Sequence, residues 1–194
     1  SSTDLYRELA GSLDVVVTTY SQYPSAVLNR PAREPSAPGA IATEIERLAR
    51  DYSVPAGWHY LRDCGFAEIY TRRTAAIGPV IEATASNDQG ILRHPGDFPL
   101  TPDSVISWRW RLDEHPSTTR EDRAMTHDYI SVATEFDNGR DLTWIWSSTM
   151  AAGEHFACPV KLWSARETHY AVRTGADRTG TWYDESRHVY ADVA

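Results

Sequence analysis

From Trp58 onward the chain divides into short segments with strand-like alternation, at 58–61, 66–72, 79–85, 105–112, 129–137, 141–148, 168–174 and 187–192, separated by turn-forming residues. No convincing helical period lies among them, and the intervals are too short for helical crossovers, so a parallel α/β sheet is disfavoured. The expected class is mainly β: an antiparallel β-sandwich of jelly-roll type. The stretch before it reads differently. Leu5, Leu9 and Leu13 carry helical spacing over residues 3–17, with Thr3 or Asp4 as a cap. Pro24, Pro31, Pro35 and Pro38 then remove backbone donors and forbid a continuous helix or central strand. Helical spacing returns at 39–52 through Ile41, Ile45, Leu48 and Ala49, and Pro55 and Gly57 end it. Residues 1–56 are therefore expected as a helical arm and Pro-rich connector, and 57–194 as the sandwich.

The length, 194 residues, suits one domain with a full core, and 41% hydrophobic against 24% charged residues is ordinary globular usage. Acidic residues number 27 against 19 basic ones, of which only Lys161 is lysine, for a formal charge of −8. Without a basic stripe, neither nucleic acid nor a membrane surface is expected as a partner. No apolar run approaches the roughly 18 residues of a membrane span. Ser1-Ser2-Thr3-Asp4 lacks the features of a signal peptide, which points to the cytoplasm. Cys64 and Cys158 match no metal or redox spacing and are expected as buried thiols.

The seven tryptophans fall into informative positions. At Ser107-Trp108-Arg109-Trp110-Arg111-Leu112, a two-residue period puts Trp108, Trp110 and Leu112 on one side and Arg109 and Arg111 on the other. The arginines form either a solvated face with ion pairs or an anion clamp inside a cavity. At Phe136-Asp137-Asn138-Gly139-Arg140-Asp141, Asn-Gly suggests a two-residue type I′ hairpin. That loop would pair Glu135 with Leu142, Ala133 with Trp144 and Ser131 with Trp146. Glu135, Ala133, Ser131 and Tyr129 would then share a face with Trp144 and Trp146, leaving Ile130, Val132, Thr134, Phe136, Thr143 and Ile145 on the other.

The strings ISWRWRLDE, HDYISVATEFDNG, TWIWS, HYAVRTG and ESRHVYADV, in that order, resemble a bacterial family of uncharacterised domains with predicted jelly-roll sandwiches. The likeness covers roughly 57–193. The chain departs from it at His127, where a second acidic residue is expected before Asp128, and in the stretch preceding residue 57. The family carries no assigned chemistry, so the resemblance implies the fold and leaves function to the residues.

Among those residues, His127-Asp128 is a usable general acid/base pair ahead of the hairpin, and Glu135 on an aromatic face is either a structural group or a tuned acid/base. His169 and Arg173 share strand parity, with Tyr170 opposite. His155 and His188 read as surface or structural. No metal motif, nucleophile elbow, dinucleotide fingerprint or P-loop occurs, so neither a metal nor another cofactor is expected. The favoured reading is a cofactor-independent lyase or isomerase, such as a cyclase or (de)hydratase, acting on an apolar, oxygen-bearing small molecule. Trp108, Trp110, Trp144 and Trp146 would wall its cavity, and Glu135, His127 and Asp128 would move protons. Arg109 or Arg111, with Tyr129 and His169, would hold an oxygen, and Tyr170 and Arg173 would complete the substrate site. The competing reading is a non-catalytic module that binds a carbohydrate or other small molecule. A homodimer is compatible with either.

Overall fold

The computed structural model describes residues 14–21, 57–60, 69–86, 90–94, 96, 99–123, 130–161 and 163–193. The described residues form eleven strands: β1 (Asp14–Ser21), β2 (His59–Tyr60), β3 (Tyr70–Ala75), β4 (Gly78–Ser86), β5 (Leu92–Arg93), β6 (Val105–Leu112), β7 (Ser131–Glu135), β8 (Asp141–Trp146), β9 (His155–Ala157), β10 (Glu167–Arg173) and β11 (Trp182–His188). A short helix, α1 (Val189–Val193), follows them.

The protein is mainly β, as the alternating segments imply, and its sheets are mixed. A five-stranded sheet has the order β11-β6-β1-β4-β3, and a four-stranded sheet the order β7-β8-β10-β9. β2 and β5 form a separate two-stranded ladder. β1 runs parallel to both of its neighbours and β8 parallel to β10, whereas the other described pairings are antiparallel.

β1 corrects the helix expected over 3–17. Residues 14–17 enter the sheet, with Val15 opposite Ile81 on one side and Trp110 on the other. A run of three β-branched valines suits a strand flanked on both edges better than a helix, where each loses side-chain freedom. The remaining helical spacing of the arm, including 39–52, lies outside the described residues. At the other end, the strand expected over 187–192 is half right: β11 stops at His188 and α1 takes over.

The two large sheets meet through indoles. β6 alternates strictly, burying Ile106, Trp108, Trp110 and Leu112. They pack with Ile130, Leu142, Trp144, Trp146 and Val189 in one core cluster. Trp108 lies 5.5 Å from Trp144 and Trp110 5.6 Å from Trp146, centroid to centroid. At ~25 cal/mol per Å2, an indole hiding ~200 Å2 contributes roughly 5 kcal/mol before its entropy loss. Four such residues at the sheet contact make it the main apolar reservoir of the fold.

The hairpin register overturns the expected face assignment. The amide of Phe136 donates to the Arg140 carbonyl (2.8 Å), and that of Gly139 to the Phe136 carbonyl (2.9 Å). The loop is thus three residues, Asp137-Asn138-Gly139, with Gly139 at φ 75° supplying the left-handed position that follows a turn. One added loop residue moves the register by one: Glu135 faces Asp141, Val132 faces Trp144 and Ser131 faces Ile145. Because side chains alternate with period two, this exchanges the two faces. Ile130, Val132 and Phe136 join the tryptophan core, and Ala133 and Glu135 turn away from it.

Candidate functional site

The four tryptophans expected to wall a cavity are instead packed by protein, with relative exposures of 4% (Trp108), 1% (Trp110), 0% (Trp144) and 1% (Trp146). Three of their four indole N–H groups are used structurally, and Trp108 Nε1 is buried without a hydrogen-bond partner among the described residues. Trp110 Nε1 donates to Glu185 Oε1 (3.0 Å), Trp144 Nε1 to Asp192 Oδ2 (2.8 Å) and Trp146 Nε1 to the Thr174 carbonyl (3.0 Å).

Arg109 and Arg111 occupy the opposite side of β6, where the solvated-face reading applies. Arg109 Nε reaches Asp184 Oδ1 at 2.6 Å, and Arg111 closes a two-bond fork on Asp113 at 2.8 Å each. Glu135 is exposed, with Arg93 Nη2 at 3.5 Å. The expected grouping of Glu135 with Trp144 and Trp146 is therefore not formed. His127, Asp128 and Tyr129 lie outside the described residues.

On β10 the parity of His169 and Arg173 is broken. The pairing with β8 runs Ala171 opposite Ile145, then Arg173 opposite Trp146, so Val172 and Arg173 together face one residue. Such a bulge throws both side chains to one face. Arg173 consequently reaches Glu185 and Asp177 on the core side. His169 remains on the other face, fully buried, stacked on Phe156 at 4.7 Å and 9°. Tyr170 lies on the core side; its hydroxyl donates to the Asp192 carbonyl (2.9 Å) and its ring stacks on His155 (5.3 Å, 21°). The terminal Arg-x-Val/Tyr-x-Asp pattern is a latch: Arg187 forks onto Asp192 at 2.9 and 2.6 Å, holding α1 to the sandwich.

An open concavity of about 550 Å3 lies elsewhere, at the start of β9. Its scaffold is a buried polar joint. Ser147, fully buried, donates through Oγ to Glu121 Oε2 (2.6 Å) and accepts from the amides of Thr149 (3.1 Å) and Met150 (2.8 Å). Glu121 is itself 3% exposed. This joint pins the 120–123 turn against the 147–150 turn. The chain then reverses at Gly153, whose φ of 91° is one that L side chains rarely adopt. The amide of Gly153 donates to the Ala171 carbonyl (2.8 Å), and that of Ala171 to the Glu154 carbonyl (2.9 Å).

Residues of the 120–122 turn, Met150 and the 152–156 stretch line the hollow, among them Arg120, Asp122, Glu154, His155 and Phe156. Arg120 forks onto Asp122 at 3.1 and 3.0 Å, and its Nη2 also reaches Glu154 Oε2 at 3.4 Å. That oxygen accepts the Ala151 amide as well (3.1 Å). The hydrogen bond from Arg120 holds the Asp122 carboxyl below the usual carboxylate range, against a weaker opposing effect of burial. The same bond raises Arg120. Sequence reasoning assigned no role to Arg120, Asp122 or Glu154, and read His155 as surface or structural. The available signal was the charge run Arg120-Glu121-Asp122-Arg123, which looks like an ordinary solvated turn until Ser147 reveals that Glu121 points inward.

Among the described residues no three His, Cys, Asp or Glu side chains converge as a metal site, and no helix is long and apolar enough to cross a membrane.

A family model described as a protein of unknown function, DUF3047, matches residues 60–194. The chain belongs to the DUF3047 family. The DUF3047 match begins within β2 and takes in every later strand, so the tryptophan core, the Arg187–Asp192 latch and the concavity all fall inside it, whereas β1 precedes it. Comparison with curated proteins and with solved structures gives no match.

Proposed function

We propose that this DUF3047 domain is a non-catalytic binding module that takes a small hydroxyl-bearing molecule, such as a carbohydrate, in the concavity at Arg120, Asp122, Glu154 and His155. One observation carries the reading: charged side chains from two turns, pre-positioned by the Glu121–Ser147 joint, converge on an open hollow floored by Phe156 and Met150. Polar groups held beside apolar surface suit a compact oxygen-rich ligand, since ordering them costs less on binding. The cofactor-independent lyase or isomerase reading drew on titratable groups, Glu135 among them, combined with an aromatic face, and the hairpin register turns Glu135 away from Trp144 and Trp146.

The test is a screen of neutral and charged mono- and oligosaccharides by ligand-observed NMR, sensitive to dissociation constants of about 1 mM. Binding without product formation, lost in Arg120→Ala, supports the module. Turnover of a bound compound restores the enzyme reading, and silence across the panel removes the carbohydrate assignment.

A further inference from the structure

We propose that the concavity selects neutral polyhydroxylated ligands and discriminates against carboxylated or phosphorylated ones; the inference rests on the binding reading above. Its basis is the internal charge balance of the site. Arg120 faces two carboxylates, Asp122 and Glu154, and Asp122 also faces Arg123 Nε at 3.8 Å. The Arg120 guanidinium is thus compensated by carboxylates before any ligand arrives. An anionic ligand reaching the remaining Nη1 of Arg120 must lie beside the two carboxylates already held by Nε and Nη2. The like-charge contact costs most where the neighbours are partly shielded, and the side chains of Asp122 and Arg120 are only 24% and 34% exposed.

Neutral hydroxyls meet no such opposition. An ionised carboxylate offers about four lone-pair sites, and the bonds of Arg120 leave several of these on Asp122 and Glu154 to accept O–H donors. The Arg120 bonds use Nε and Nη2, so Nη1 has none among the described residues and remains to donate to a hydroxyl oxygen. A guanidinium and a carboxylate locked in a planar fork present donor and acceptor side by side, which fits a vicinal diol. The apolar side of such a ligand also has a partner. Phe156 and Met150 line the hollow and offer it apolar surface. A metal-bridged mode of diol binding is disfavoured by the same fork, because a guanidinium occupies the space between the carboxylates.

The experiment titrates the isotopically labelled full chain with matched pairs: glucose against glucuronate and glucose 6-phosphate, galactose against galacturonate. The neutral member of at least one pair should bind about tenfold more tightly than its anionic partners at low ionic strength. Amide shifts should centre on 120–122 and 151–156. Glu154→Gln, nearly isosteric, should narrow the gap several-fold, and Arg120→Ala should weaken both members. If uronates or sugar phosphates bind equally or better, the charge argument is overturned while the module reading stands. Shifts centred elsewhere overturn the site. If no sugar of any charge binds, the carbohydrate reading falls and takes this inference with it.

Discussion

Arg173 and Glu185 tie the two sheets of the sandwich together. Arg173 Nε on β10 donates to Glu185 Oε1 on β11 over 2.6 Å, and the same oxygen accepts Trp110 Nε1 from β6. The guanidinium lies 4.0 Å from the Tyr183 ring centroid and sends Nη1 to Asp177 at 3.2 Å. With side-chain exposures of 22% and 12%, the pair is shielded enough for its charge to matter. The bulge at Val172–Arg173 makes the contact geometrically available.

Removing the carboxylate should therefore cost more than a surface ion pair would. Glu185→Ala leaves Trp110 Nε1 without its acceptor and Arg173 with Asp177 alone, and should destabilise the fold by about 2 kcal/mol in urea unfolding. Asp184→Ala, one residue away on the exposed side, should stay within about 0.5 kcal/mol.

The hairpin register makes a paired prediction. Ala133→Glu places the new carboxylate on the exposed face and should change stability by no more than about 0.5 kcal/mol. Val132→Glu drives a charge toward Trp144 and should cost about 3 kcal/mol or prevent folding. The reverse ranking would mean that Ala133, not Val132, opposes Trp144.

His115 should make stability pH-dependent. It lies edge-on to Trp146 at 6.2 Å, and neither ring nitrogen has a hydrogen-bond partner among the described residues. Burial pushes its pKa below 6.5, with Asp177 partly opposing. The unfolded chain then binds a proton at His115 more readily than the folded one. Stability contributed by the neutral ring is full above pH 6.5 and is lost as pH falls toward the lowered folded value. Melting temperature followed from pH 8 to pH 5 in wild type and His115→Leu should show a shallower acid decline in the variant.

Gly175 is held by space. A Cβ there would collide with the backbone carbonyl oxygen of Ser148, which cannot swing aside as a side chain could. Gly175→Ala should cost about 1–3 kcal/mol, read as a lowered denaturation midpoint. Gly180→Ala, with open space around it but φ at 71°, reports the backbone cost alone.

Much of the fold was legible because local alternation declares itself. Residues 105–112 coincide with β6, and the split between Trp108 and Trp110 inside and Arg109 and Arg111 outside follows from a period of two. The position of the hairpin was equally readable from Asn138-Gly139. Its register was not, since the same dipeptide serves a two- or a three-residue loop, and the choice between them exchanges the faces of the strands. Glu135, placed beside Trp144 and Trp146 by that choice, moved with it.

The sequence by itself determined the β class, the approximate strand positions and the alternation on β6, because these depend on contacts a few residues apart. Only the tertiary structure decided that β1 lies between β6 and β4, that the indoles close on one another across two sheets, and that Arg120, Asp122, Glu154 and His155 share a hollow. Those outcomes depend on pairings across tens of residues. Each is fixed by how much apolar surface a given register buries and by whether each buried polar group finds a partner, and neither quantity is visible along the chain.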